Sequence, residues 1–290
     1  MHAIFVLIGA TALFIGCDTY KPNITMVEAV EAGNEKVVDY YLKHGEMVNQ
    51  KDEEGRPLIT LATRDKRVSI VKKLIKAGAK VNAETKDGRT ALFFADNGKM
   101  AKLLIDAGAY VDHKSDDGWT PLMSAIIFGR TDVVKILIQN KADINERDNC
   151  GSTMLMHACT TIMNKEESGN IIRLLASAGY RNVDAMGVEW LNCEEKRAII
   201  QTALMIASGR DNTEAIELLI KMGADVNKKN NFGSTALISA SAAGATEAVK
   251  ILIRNGADVN ARDLLGSALD RAKGSSREIV NILKQAGARE

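Results

Sequence analysis

A chain of 290 residues with 46% hydrophobic but only 4% aromatic side chains has enough apolar material for one or two folded domains, which excludes general disorder. Thirty-eight basic residues against 37 acidic ones leave a formal charge of +1, so no global field draws the chain onto nucleic-acid phosphates. The cysteines, Cys17, Cys150, Cys159 and Cys193, show no C-x-x-C spacing, which removes the commonest zinc and thioredoxin-type signals.

The N-terminus differs from everything after it, because Ala3 to Gly16 (AIFVLIGATALFIG) carries no charged side chain. A helix of that length reaches about 21 Å, short of the roughly 30 Å hydrocarbon core of a bilayer. The length fits the apolar region of an export signal better than a membrane span. It ends in Leu13-Phe14-Ile15-Gly16-Cys17, which resembles the lipobox of bacterial lipoproteins. Two departures are visible: His2 is the only residue before the run that can carry a positive side-chain charge, and Phe14 stands where that family usually has Leu. The resemblance implies an export signal over 1–16, lipid attachment on Cys17 and a tether over 17–25. A plain secretory signal and an uncleaved apolar helix are the alternatives.

From Met26 to Ala288 the chain repeats itself. Lys72 to Ala83 (KKLIKAGAKVNA) returns as AKLLIDAGAYVD (Ala101 to Asp112), VKILIQNKADIN (Val134 to Asn145), IELLIKMGADVN (Ile216 to Asn227) and VKILIRNGADVN (Val249 to Asn260). Degenerate copies begin at Val38, Ile172 and Val280. The glycine slot runs Gly45, Gly78, Gly108, Lys141, Gly179, Gly223, Gly256, Gly287, giving intervals of 33, 30, 33, 38, 44, 33 and 31. A second block, Asp117-Gly-Trp-Thr-Pro-Leu122, recurs as Asp87-Gly-Arg-Thr-Ala-Leu92 and Phe232-Gly-Ser-Thr-Ala-Leu237. Together the 33-residue period and this D-G-x-T-P-L opening resemble the ankyrin repeat family. The resemblance implies an all-α solenoid of about eight helix-turn-helix units over 26–288, joined by β-hairpins, with the terminal units as degenerate caps.

The residues explain the pattern. Thr90, Thr120, Thr153, Thr202 and Thr235 are suited to cap a first helix, and Pro121 fits its first turn, where the missing N–H costs nothing. The L-L-I triplets put apolar residues on one face of a second helix, which the glycine then closes. The histidine usual after T-P-L in the family is replaced by Met123, Met156, Met205 and Ile238, so apolar packing takes its place. Repeat three is short between its helices, while repeat five carries extra residues around Thr161 to Gly169 and a further insertion lies between Asp184 and Thr202. Insertions in solenoids map to loops.

Catalysis finds little footing. His2, His44, His113 and His157 are scattered, with no H-E-x-x-H, glycine-rich phosphate loop or nucleophile elbow. Cys150, His157 and Cys159 share one repeat and form the nearest candidate for a thiolate-imidazole pair or a metal site, but His157 fills a variable slot and Cys159 reads as a small core residue. No cofactor, metal or small-molecule substrate is indicated. In an exported protein Cys150 and Cys193, on adjacent hairpins, are candidates for a disulfide.

The reading is a binding module for an unidentified protein partner, lipid-anchored in a bacterial envelope; a cytosolic ankyrin adaptor or effector is the alternative. Family resemblance places variable outward positions at the hairpin tips and at the end of the first helix. In this sequence they hold Arg56, Arg89, Trp119 and Phe232, then Ile127 and Phe128, with Trp190 in the long insertion. Trp119, Ile127 and Phe128 are expected on one exposed face of repeat four, the kind of aromatic cluster that binding hot spots favour.

Overall fold

A computed structural model of the chain describes residues 22–45, 47–160, 164–188 and 199–289. The segment 1–16, Cys17, Trp190 and Cys193 lie outside the described residues.

Each of the eight sequence copies forms a helix pair. In order they are α1 (Met26–Ala32) and α2 (Glu35–Lys43), α3 (Leu58–Arg64) and α4 (Val68–Lys76), a 3₁₀ turn (Ala91–Phe94) and α5 (Gly98–Asp106), α6 (Pro121–Ile127) and α7 (Thr131–Gln139). The second half follows with α8 (Met154–Cys159) and α9 (Lys165–Ser177), α10 (Ala203–Gly209) and α11 (Thr213–Lys221), α12 (Ala236–Ala243) and α13 (Thr246–Arg254), α14 (Ala268–Lys273) and α15 (Arg277–Gln285). Two short hairpins carry regular strand pairing: β1 (Gly187–Val188) with β2 (Ile200–Gln201), and β3 (Arg262–Asp263) with β4 (Gly266–Ser267).

The threonines start the first helices as their chemistry requires. Thr120, Thr153, Thr202 and Thr235 accept the backbone N–H three residues on, from Met123, Met156, Met205 and Ile238, at 3.3–3.4 Å. Thr90 is the exception. Its segment winds as a 3₁₀ turn, and the side chain makes no cap bond. Second helices bury residues at i, i+1 and i+4: Ile70, Val71 and Leu74 in α4, and Val133, Val134 and Leu137 in α7. One such stripe cannot be covered within a single pair, so the apolar core runs unbroken from Met26 to Leu283 through neighbours. Met123, Met156, Met205 and Ile238 lie inside it, each at most 1% exposed.

Two polar ladders tie adjacent units. At the hairpin tips the residue before the turn glycine offers its carbonyl to the next unit: Asp87 to the Asp116 amide, Asp117 to Asn149, Cys150 to Val188 and Phe232 to Leu264, all at 3.2 Å. At the opposite end of the hairpins, the Asn or Asp closing six of the G-A-D-V-N-like segments accepts an amide from the following unit. Asn49 takes Lys80, Asn82 takes Tyr110, Asp112 takes Asp143, Asp184 takes Asp225, Asn227 takes Asp258 and Asn260 takes Arg289, at 2.7–3.0 Å.

The irregular repeats have physical explanations. Repeat three lacks the residues for a full first helix, and the carbonyls its 3₁₀ turn leaves open are met from repeat four. Ser124 Oγ donates to Phe93 O at 3.0 Å, and Arg130 Nη1 donates to Phe93 O and Ala95 O at 3.0 and 3.1 Å. In repeat five part of the insertion is helical rather than loop: α9 has 13 residues against nine in α7, capped by Asn164, which accepts the Glu167 amide at 2.7 Å. The last unit, expected as a degenerate cap, is a complete helix pair whose first helix opens with a reciprocal Ser267/Asp270 capping box.

Candidate functional site

The tip slot after the turn glycine turns out to be a packing position. Arg56 and Arg89 are half-buried, Ser152 is buried, and Trp119 is only 8% exposed. After Trp119 and Ser152 the backbone leads straight into the capping threonines Thr120 and Thr153, which lays these two side chains along the stack. The Trp119 indole meets the His157 ring edge at 5.4 Å and carries the Arg89 guanidinium 5.7 Å from its ring centre. Ile127 is 1% exposed, because every residue of α6 is buried. Phe128 alone of the expected trio is open, at 42%, with Arg130 stacked over its ring at 4.8 Å. It faces a shallow groove of about 780 Å³ between the second helices, lined also by Lys135, Glu167 and Arg173. The expectation that Trp119, Ile127 and Phe128 share one exposed face is therefore corrected: two belong to the core and the third points elsewhere.

Among the described residues the hairpin and first-helix side carries a groove on either side of this buried middle, where α6 and α8 are enclosed along their whole length. The N-terminal groove, about 310 Å³, is polar and includes Arg56, Arg64, Lys86, Asp87 and Arg89. Its arginines are already matched. Arg56 pairs with Asp52 at 2.6 Å and Glu54 at 2.7 Å, and Arg89 with Asp117 at 2.9 Å. Burial pushes the Asp117 carboxyl up, but the Ser115 hydroxyl and Arg89 outweigh it, so the group ends below its ordinary value and stays charged.

The C-terminal groove is apolar. About 390 Å³ in volume, it runs across repeats six to eight between Ile199, Phe232, Leu264 and Leu265, over a floor of Ile238, Ser239 and Ala242. Leu264 and Leu265 are 77% and 75% exposed and Ile199 46%, while Phe232 is half-buried. Among the expected contact residues that are described, only Phe232 lies here. The Leu264-Leu265 pair escaped the sequence reading although it stands in plain view: the last hairpin tip reads Arg262-Asp-Leu-Leu-Gly266, with two leucines where the tips of repeats two to four carry two charged side chains.

The cysteine and histidine candidates do not gather into a reactive centre. Cys150 is disulfide-bonded and Cys159 keeps a buried thiol. Cys193, the expected partner of Cys150, lies outside the described residues. His157 faces Asp148 instead. Among the described residues no three His, Cys, Asp or Glu side chains are grouped as metal ligands, and no helix is long and apolar enough to cross a membrane.

Comparison with known proteins agrees with this architecture. The family model for ankyrin repeats (3 copies) matches residues 26–115, 95–186 and 183–263. A putative ankyrin repeat protein of fowlpox virus, FPV031, is 30% identical over 158 residues, 51% of this chain and 46% of that protein. A putative ankyrin repeat protein of Rickettsia felis is 34% identical over 139 residues, 48% of this chain and 41% of that one. The Xenopus laevis neurogenic locus notch homolog protein 1 is 28% identical over 159 residues, 53% of this chain but 6% of the relative. The matched region thus spans less than half of each of these relatives. Among solved structures, the crystal structure of the human ASB11 ankyrin repeat domain superposes with a TM-score of 0.69 at 23% identity, covering 81% of this chain and all of that one. The chain belongs to the ankyrin repeat family.

Proposed function

We propose that this protein is a non-catalytic binding module that takes a partner protein on its concave hairpin and first-helix face, held to a bacterial envelope membrane by lipid on Cys17. One observation carries the binding reading: Ile199, Phe232, Leu264 and Leu265 leave an apolar groove uncovered on the face built from hairpin tips and first helices. Exposed aliphatic side chains cost solubility, and a surface that retains them together marks an interaction site. The near-neutral composition and the matched arginines of the N-terminal groove speak against a nucleic-acid partner.

The binding test compares the native chain with a Leu264→Asp/Leu265→Asp variant in cross-linking from envelope fractions. Loss of a defined cross-linked protein in the variant, at unchanged melting temperature, supports the reading, and equal capture by both proteins contradicts it. The anchor rests on the apolar run and Cys17. Two or three acyl chains hold a protein on a membrane stably, as one does not. Cys17→Ser is expected to abolish labelling by a fatty-acid analogue and membrane partition. Unchanged labelling and partition would exclude Cys17 as the anchor, and absence of both in the native chain would leave the cytosolic adaptor as the reading.

A further inference from the structure

The groove over repeats six to eight has properties that narrow its occupant. Its two charged side chains cancel: Arg271 Nη2 donates to both oxygens of Asp263, at 3.1 and 2.8 Å. Asp263 Oδ1 also accepts the Leu265 amide at 2.8 Å, which holds the leucine tip in place. The lining therefore offers no net charge, and a charged segment entering it would be desolvated without a counter-charge.

By itself the groove is too small to carry an interface between two folded proteins. An aliphatic side chain brings on the order of 100 Å² of apolar surface. At 77%, 75% and 46% exposure, Leu264, Leu265 and Ile199 together thus offer on the order of 200 Å², against the roughly 800 Å² per partner of a stable interface between folded proteins. A second copy of this chain seated here needs far more contact than the groove supplies. The volume of about 390 Å³ is at the small end of the roughly 300–1,000 Å³ typical of pockets for compact ligands, room for a few side chains.

The rim favours a polypeptide over an acyl chain. Gln201, Asn230 and Ser234 place uncharged polar groups around the floor. Leu265 also occupies the tip position whose carbonyl, in Asp87, Asp117, Cys150 and Phe232, accepts an amide from the following unit. No following tip meets the Leu265 carbonyl among the described residues. An acceptor of this kind beside the groove suits a main-chain N–H and gives nothing to a hydrocarbon tail.

We propose that this groove binds a short, uncharged segment of a partner polypeptide through one or two large aliphatic or aromatic side chains. The inference rests on the binding reading above and specifies its partner chemistry. The probe is a library of random heptapeptides displayed on phage, selected against the full native chain, with enriched sequences remade as fluorescein-labelled peptides for anisotropy. Enrichment of uncharged sequences rich in Leu, Ile, Phe or Trp is expected, with binding weakened at least tenfold by Leu264→Asp/Leu265→Asp and unchanged by Phe128→Ala. Enrichment of acidic or basic sequences overturns the proposal, as does binding indifferent to the double variant. If the enriched peptides respond to Phe128→Ala instead, the binding reading survives and this groove is not the site. Displacement of bound peptide by decanoate but not by an excess of unlabelled peptide assigns the groove to an acyl chain, and a sedimenting dimer dissolved by the double variant assigns it to a second copy; either result ends the proposal.

Discussion

His157 Nε2 stands 3.1 Å from Asp148 Oδ2 inside the stack, with the two side chains 1% and 0% exposed. The other oxygen of the same carboxylate accepts the amides of Cys150 and Ser152 at 2.9 and 2.8 Å, so Asp148 holds the hairpin tip of repeat five. A buried carboxylate that loses its facing group is left uncompensated in low dielectric. His157→Leu is expected to cost about 3 kcal/mol of unfolding free energy, measured by urea denaturation. His157→Leu combined with Asp148→Asn is expected to cost less than the sum of the two single changes. Strict additivity would show that the two groups do not act as a pair.

Trp119 and Phe128 are expected to separate in the same assay. Trp119 is 8% exposed and wedged between Arg89 and His157, so Trp119→Ala removes a core side chain and lowers stability by about 3–5 kcal/mol. Phe128, at 42% exposure, is expected to lose less than about 1 kcal/mol on the same change. Equal losses would contradict the packing described for α6.

Much of this architecture is legible in the sequence, because the glycine that ends a second helix and the threonine that begins a first one are backbone requirements with few chemical solutions. Eight helix pairs follow from eight glycine-slot residues. What was not legible depends on the next unit along. Counting residues shows that repeat three is short, but not that Arg130 and Ser124 of repeat four complete its carbonyls. The slot of Trp119 reads as a loop tip in one dimension and as a wall between units in three. The closing Asn or Asp of each segment was visible as a recurring letter, with no sign that its oxygen clamps an amide in the neighbour. Leu264 and Leu265 carry no aromatic signal, and their exposure follows only from the place of the last hairpin tip in the folded stack.

Lys141 takes the glycine slot of repeat four and holds φ at 66°, the left-handed region that an L side chain enters only at a cost. Lys141→Gly is expected to stabilise the protein by about 1 kcal/mol, read as a higher urea midpoint at unchanged slope. A lower midpoint would mean that the lysine side chain contributes more than its backbone strain removes.

Acid is expected to loosen the C-terminal unit. The Ser267 amide and hydroxyl, both donating to Asp270, hold that carboxyl down to about 2, and the salt bridge to Arg262 acts in the same direction. An unfolded aspartate titrates near 3.9. The folded value is the lower one, so the stabilisation is complete above about pH 4 and disappears as pH falls toward 2. Asp270→Asn is expected to flatten this part of the stability profile and leave the profile above pH 5 parallel to that of the native protein. Hydrogen exchange of α14 amides across pH 2–5 reads it directly, and an identical acid slope in both proteins would exclude Asp270 as the cause.

Thiol counting tests the disulfide. We expect Cys150 to pair with Cys193, so that protein lacking segment 1–17 shows a single reactive thiol, Cys159, and shows it only after denaturation because that side chain is buried. A second thiol in oxidised protein would contradict the pairing.

The dependence of repeat three on repeat four gives the stack a direction. In a molecule fraying from its C-terminus, loss of Arg130 and Ser124 leaves the carbonyls of Phe93 and Ala95 bare and takes the 3₁₀ turn with them. The boundary between ordered and melted chain then steps over repeat three, from the end of repeat four to the end of repeat two. Fraying from the N-terminus meets no such step, because repeat four keeps its own donors and full-length helices. The same solenoid thus unzips in unequal strides from its two ends.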